Sequence, residues 1–148
     1  MYKIGDIYDN NGITGVVIST DSSGLHGFIM SLDEIKIDWY GAEKWCNDYG
    51  IGWFLPSVDN LKSLMDSTNL KTIQMSLIYY GMPLGLGDPE FNYERLPPHE
   101  YWTTDLKSSK DDGDWMNVLS IHSDYSCSVY DIRKDFTYLS YARALHAF

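Results

Sequence analysis

The chain has 148 residues, with 11 Lys and Arg against 21 Asp and Glu, a formal net charge of −10 and a hydrophobic fraction of 44%. That length suits one domain, 1–148, able to bury an adequate core without staples. The negative field excludes phosphate-backbone recognition and attraction to anionic membranes, so neither nucleic acid nor membrane insertion is expected.

The opening stretch, MYKIGDIYDN, lacks the apolar run of a secretory leader, and no segment reaches transmembrane length. The runs ITGVVIST (13–20) and HGFIMSL (26–32), set off by DNNG and DSSG turns, predict a hairpin or meander. YGAEKWCNDYG (40–50) predicts a short helix with Tyr40, Lys44 and Trp45 at helical spacing and Gly50 as its stop. Ser57 suits an N-cap and has Asn60 three residues on. The stripe Val58, Leu61, Leu64, Met65 then predicts a second helix. LKTIQMSLIYYG (70–81) predicts a third, burying Leu70, Ile73, Leu77 and Ile78.

Residues 82–99 are rich in Gly and Pro and read as a long loop. β-structure returns with EYWTTD (100–105), WMNVLSIH (115–122), CSVYDIRK (127–134) and LSYARALHAF (139–148). KSSKDDGD (107–114) reads as a polar loop. The order β, helices, β predicts an α+β domain of antiparallel sheets, two or three helices and long loops.

The aromatic fraction is high at 15%, with 12 Tyr and 5 Trp. The expectation is Trp mainly in the core and several Tyr at a contact surface.

Catalytic signatures are sparse. No nucleophile elbow, zincin, phosphate-loop or dinucleotide glycine pattern is present. His26, His99, His122 and His146 lack metal-ligand spacing, and His146 reads as a satisfied polar group in a core strand. Cys46 and Cys127 form no CxxC pair and read as buried small apolar groups, with one disulfide as the alternative. Asp105, Asp111, Asp112 and Asp114 lack calcium-loop spacing and read as a solvated acidic loop. No cofactor and no metal are expected.

Three ordered segments carry a family likeness. GWFLPSVDNLKSL (52–64) resembles a GWxLP…EL..L motif, YWTTD (101–105) resembles YWSSTE, and YARALHAF (141–148) resembles YVRAVRAF. Together they resemble bacterial C-type-lectin-like domains, found in collagen-like surface adhesins and in relatives from gut bacteria. The likeness spans nearly the whole chain. It implies terminal strands lying side by side in one sheet, two flanking helices and a second small sheet with long loops. Trp53, Leu55, Pro56, Tyr101 and Trp102 then become core and loop-root residues. Arg143 is set to pair with an acid or hold a loop carbonyl. The calcium-dependent branch of that family uses EPN or QPD and WND motifs. The first two are absent here, and WCND (45–48) sits on the first helix, so calcium-dependent sugar binding is not implied.

Some members of the gut-bacterial branch of that family are targets of diversity-generating retroelements, which rewrite adenines near the 3′ end of the gene. From asparagine codons such changes reach Tyr, Ser, Asp, His, Cys, Phe, Ile, Val, Leu and Arg, but never Lys or Trp. Residues 120–141 are built largely from that set, with Lys134 an interruption. The resemblance thus implies a variable contact surface of Ser123, Asp124, Tyr125, Ser126, Ser128, Tyr130, Asp131, Arg133, Asp135, Phe136 and Tyr138, with Trp115 beside it. An ordinary exposed hairpin is the competing reading.

The function this implies is non-enzymatic binding of a protein or glycan on another surface, at a cell surface, outside the cell or on a phage particle. The alternatives are a structural subunit of a phage tail fibre or pilus tip, and an enzyme of the formylglycine-generating type. The latter has a related fold and needs a specific cysteine pair.

Overall fold

The computed structural model describes residues 1–87, 99–110, 113–134 and 139–148, with the backbone alone at Lys110. Its strands are β1 (Ile7–Asn10), β2 (Ile13–Thr20), β3 (Gly27–Met30), β4 (Ile35–Ile37), β5 (Glu100–Lys110), β6 (Gly113–Ile121), β7 (Cys127–Arg133), β8 (Ser140–Ala142) and β9 (Leu145–Ala147). Its helices are α1 (Trp39–Asp48), a 3-10 helix over Asp59–Met65, and α2 (Ser67–Tyr79). The architecture is α+β, with two sheets that are antiparallel apart from one parallel pairing of β5 with β8.

The four-stranded sheet runs β1-β2-β3-β9 and the five-stranded sheet runs β4-β8-β5-β6-β7. The alternation of the strands sends successive side chains to opposite faces, and both faces are apolar, so two core clusters form. Val16, Ile18, Met30, Leu145, Tyr101, Leu119 and Ile121 meet Leu61 and Leu64 of the 3-10 helix and Leu70, Ile73 and Leu77 of α2 in one cluster. Val17, Ile29, Trp102, Met116, Val118 and Ala142 meet Trp39, Ala42 and Cys46 of α1 in the other.

The helices start where side-chain oxygens take up free backbone donors. Asp38 accepts from Gly41 N at 2.8 Å to open α1, and Asp66 accepts from Asn69 N at 3.0 Å to open α2. Ser57 and Asn60 make the anticipated reciprocal cap, with Ser57 N donating to Asn60 Oδ1 at 2.9 Å and Asn60 N to Ser57 Oγ at 3.0 Å. The segment that follows, expected as a helix, is 3-10 and not α, and the chain passes through Asp66 directly into α2.

Several sequence expectations need correction. α1 buries Trp39, Ala42 and Cys46, while Tyr40 is 56% exposed. α2 buries Leu70, Ile73, Gln74 and Leu77, and Ile78 faces solvent. The polar segment 107–114 is largely strand, since Ser108, Ser109 and Lys110 pair with Trp115, Asp114 and Gly113. The final segment is not one strand. β8 and β9 are separated by Arg143 and Ala144 and belong to different sheets. β1 and β9 do share a sheet, but at its opposite edges. β9 pairs with β3, and beyond its end the Phe148 ring meets that of Tyr8 on β1, with centroids 4.9 Å apart.

The core-forming expectations hold. Trp53, Leu55, Pro56, Tyr101 and Trp102 are buried, and the Trp102 indole donates to Ile37 O at 2.9 Å. Trp39 is also buried, whereas Trp45 and Trp115 are half-buried.

Candidate ligand-binding surface

β7 is the last strand of the five-stranded sheet, and it carries or adjoins most of the contact residues expected from the sequence. Its register on β6 distributes them over two faces. Val129 lies across from Leu119, Asp131 across from Asn117 and Arg133 across from Trp115. On the opposite face Ser128 lies across from Ser120, Tyr130 across from Val118 and Ile132 across from Met116. Val129, Tyr130 and Asp131 are exposed in succession, which only an edge strand permits on both faces at once. Val129 and Asn117 were missed in the sequence reading. Period-two alternation from Asp131 would have drawn in the first of them.

Ser123, Asp124 and Ser126 are exposed on the turn between β6 and β7. The turn is held by its own polar groups. Tyr125 N donates to His122 O at 2.9 Å, and His122 N donates to Ser126 O at 2.9 Å. Asp124 Oδ1 accepts from Ser126 N at 3.0 Å and from Ser126 Oγ at 2.5 Å. The Ser126 hydroxyl is the main reason the Asp124 carboxyl lies below its ordinary range. Tyr125 takes φ +63°, a left-handed conformation uncommon for a bulky residue.

Tyr125 itself departs from expectation. It is half-buried and packs against the first core cluster, with the Lys71 ammonium 5.7 Å from its ring centroid. It therefore anchors the turn at least as much as it presents a contact. Trp115 and Arg133 are half-buried and hold interactions within the chain. Asp135, Phe136 and Tyr138 lie outside the described residues.

The turn is also braced from the side by residues 82–87. Ser123 N donates to Gly87 O at 2.7 Å, and Gly87 N donates to Ile121 O at 2.8 Å. That loop is tied in turn by two buried polar side chains. The Gln74 amide pairs with Leu84, donating to its carbonyl and accepting from its N–H, both at 2.8 Å. The Arg143 guanidinium donates to Met82 O at 2.9 Å and Pro83 O at 3.2 Å, and also to Ser31 O and Leu32 O. Both roles imagined for Arg143, an acid partner and a loop carbonyl, are realised together.

The acid partner is Glu34. Its Oε1 accepts from Arg143 Nε at 2.9 Å, Arg143 Nη2 at 2.8 Å and the Tyr101 hydroxyl at 2.8 Å, and its Oε2 lies 3.3 Å from His99 Nε2. Burial acts to raise the Glu34 carboxyl, but the His99, Arg143 and Tyr101 contacts outweigh it and hold it below its ordinary value. Tyr101 moves the other way, pushed far up by burial and by the Glu34 charge.

His122, behind the turn, is 3% exposed. Its Nε2 lies 2.9 Å from Ser128 Oγ, while its Nδ1 and the neighbouring buried Ser120 Oγ have no hydrogen-bond partner among the described residues. His146 is half-buried and its Nε2 lies 3.1 Å from Ile51 O.

The cysteines occupy different core clusters and are free. Burial raises the Cys46 thiol to about 12. Burial and then the Asp124 charge raise Cys127 to about 11. Neither thiol is primed as a thiolate nucleophile.

Of the acidic segment, Asp105 is tied down, accepting from Val58 N at 2.9 Å, and Asp114 accepts from Ser109 Oγ at 2.8 Å. Asp111 and Asp112 lie outside the described residues. Among the described residues no cluster of His, Cys, Asp and Glu has metal-binding geometry, and no helix is long and apolar enough to cross a membrane. No protein-family model, curated protein or solved structure matches the chain.

Proposed function

We propose that the protein is a non-enzymatic binding module with a C-type-lectin-like fold, which engages a protein or glycan on another surface through the turn 123–126 and the exposed edge of β7. One observation carries this reading. Val129, Tyr130 and Asp131 stand exposed on an edge strand that continues an exposed turn, while the adjoining half of β6, Val118–Ile121, is fully buried. Side chains suited to contact are thus raised on a packed frame, the general arrangement of recognition sites.

The fold half of the reading draws support from the arrangement of sheets and helices, and departs from the likeness at one point. The first and last strands belong to one sheet, at its opposite edges and not side by side as the likeness implies, α2 packs against β2 of that sheet while α1 packs against β4 and β8, and the second sheet is inserted between the first and last strands in the chain. The buried Gln74 and Arg143 hold the loop beside the turn, so that surface residues can change without loss of the frame.

Diversification of this surface by a retroelement is part of the same reading. A reverse-transcriptase gene beside this one, with a template copy of the 3′ coding repeat differing at adenines, is the expected finding. A neighbourhood with neither removes the diversification part and leaves the binding surface to be tested by substitution.

A further inference from the structure

The outward side of α2 is apolar where a surface helix is normally polar. Its inward side buries Leu70, Ile73, Gln74 and Leu77. Met75, Ile78 and Tyr79 lie three and four residues apart, so they share one outward stripe. The Tyr80 ring joins it, set edge-on to that of Tyr79 with centroids 5.4 Å apart. All four are exposed, from 47% at Tyr80 to 84% at Tyr79. The two rings alone offer water on the order of 200–300 Å². With Met75 and Ile78 added, the patch reaches the size that marks interaction sites on soluble chains.

Charge decides what can cover it. Residues 67–87 hold no carboxylate and one cation, Lys71, in a chain of net charge −10. The Lys71 ammonium leans to the side of the helix nearest the turn 123–126, 5.7 Å from the Tyr125 ring centroid. Carboxylates stand at the borders of the patch. Asp66 caps the start of the helix, accepting from Asn69 N at 3.0 Å. Ser76 is the helical neighbour of Tyr79 and Tyr80, three and four residues on. Its hydroxyl donates to Gly5 O at 2.5 Å, which brings the exposed Asp6 to the flank of the two rings.

The faces of exposed tyrosines attract cations, and so do the bordering carboxylates and the negative field of the whole chain. Met75 and Ile78 ask instead for apolar side chains, and the unbranched Met75 adapts to their shape. A segment with one apolar and one basic side meets both demands, and a helix of that pattern is a common occupant of such faces. A second copy of the chain meets only the apolar demand and adds another −10.

We propose that the outward face of α2, made by Met75, Ile78, Tyr79 and Tyr80 and bordered by Asp6 and Asp66, docks a cationic amphipathic helix of a partner protein. It uses no side chain of the turn 123–126 or of β7, so it stands apart from the ligand reading and each can fail without the other.

Fluorescence anisotropy tests it with a labelled peptide of Leu and Lys, roughly 18 residues or about five helical turns long, with Leu on one side and Lys on the other. The peptide is expected to bind with a dissociation constant on the order of micromolar, and a peptide with Glu in place of Lys is expected not to bind. Met75→Gln combined with Ile78→Gln keeps the net charge and uses a good helix former. It is expected to raise the dissociation constant roughly tenfold or more with an unchanged circular dichroism spectrum. Tyr79→Gln, at the most exposed of the four positions, is expected to act in the same direction. Tyr130→Ala, which probes the ligand surface, is expected to leave peptide binding unchanged. Absence of binding by the Leu and Lys peptide overturns the proposal. So does binding that neither set of Gln substitutions weakens, since net charge alone then holds the peptide. Equal binding of the Glu peptide overturns the charge match, and a loss with Tyr130→Ala places the peptide on β7 instead. Self-association seen by sedimentation and abolished by the Gln pair assigns the face to a second copy and likewise overturns the proposal.

Discussion

Arg143 grips Glu34 from the point where the last segment of the chain changes sheets: its Nε and Nη2 both donate to Glu34 Oε1, at 2.9 and 2.8 Å. The same guanidinium reaches the carbonyls of Ser31, Leu32, Met82 and Pro83. One side chain, 3% exposed, therefore joins the β3–β4 connection, the loop after α2 and the β8–β9 junction.

Removing that cation takes the guanidinium donors from a half-buried carboxylate, which keeps its Tyr101 and His99 contacts, and from four carbonyls. Arg143→Met is expected to lower the unfolding free energy by about 2–4 kcal/mol, below the full cost of stranding a buried charge because Glu34 is half-buried, read from the shift of a urea unfolding midpoint. Glu34→Gln combined with Arg143→Met is expected to cost less than the sum of the two single changes, because the partners act on each other. Strict additivity would show that the pair is not coupled.

The depressed Glu34 carboxyl sets a sign for acid stability. Its folded-state value lies below the ordinary 4.5. The unfolded chain thus binds the proton first as the pH drops. The contact contributes its full stability above that ordinary value and loses it as the pH falls through the lower, folded value. Glu100 acts in the opposite sense, since burial raises its carboxyl and protonation favours the fold. Comparing wild type with Glu34→Gln between pH 6 and pH 2 isolates the first effect. The wild type should lose stability more steeply at the acid end, and parallel curves would contradict the assignment.

Tyr130 and Tyr125 are expected to behave differently. Tyr130 is 43% exposed, so Tyr130→Ala should leave the melting temperature nearly unchanged and weaken ligand capture. Tyr125 packs on the first core cluster, so Tyr125→Ala should lower stability by about 1–3 kcal/mol. A drop of several degrees for Tyr130→Ala would place that ring in the fold and not at the contact surface.

The thiols offer a simple check of burial. With Cys46 raised to about 12 and Cys127 to about 11, iodoacetamide at neutral pH should label the native protein slowly and the urea-unfolded protein fast at both positions. Rapid native labelling of Cys127 would show that its donation to Leu64 O at 3.3 Å does not hold it closed.

Much of the fold was readable because local chemistry dictates it. Ser57 with Asn60 announced their cap through short-range hydrogen bonding, and the apolar run 13–20 and the 127–134 segment announced strands through composition and flanking turns. These are interactions among residues a few positions apart, so they are written into consecutive letters. The exposure of Ser123, Asp124 and Ser126 was legible for the same reason, since polar residues in a turn have no core to enter.

Other features depend on residues far apart in the chain. Nothing in YARALHAF reveals that it divides between two sheets. At that break Arg143 bonds Glu34, 109 positions earlier in the chain. Tyr125 reads as a contact residue, yet packing against the first core cluster takes up its ring. Gln74 reads as a polar position on α2, and the Leu84 backbone makes it a buried anchor. Short-range rules determine which stretches become strand, helix or turn. The pairing of distant strands determines which side of each stretch water can reach, because burial depends on every neighbour at once.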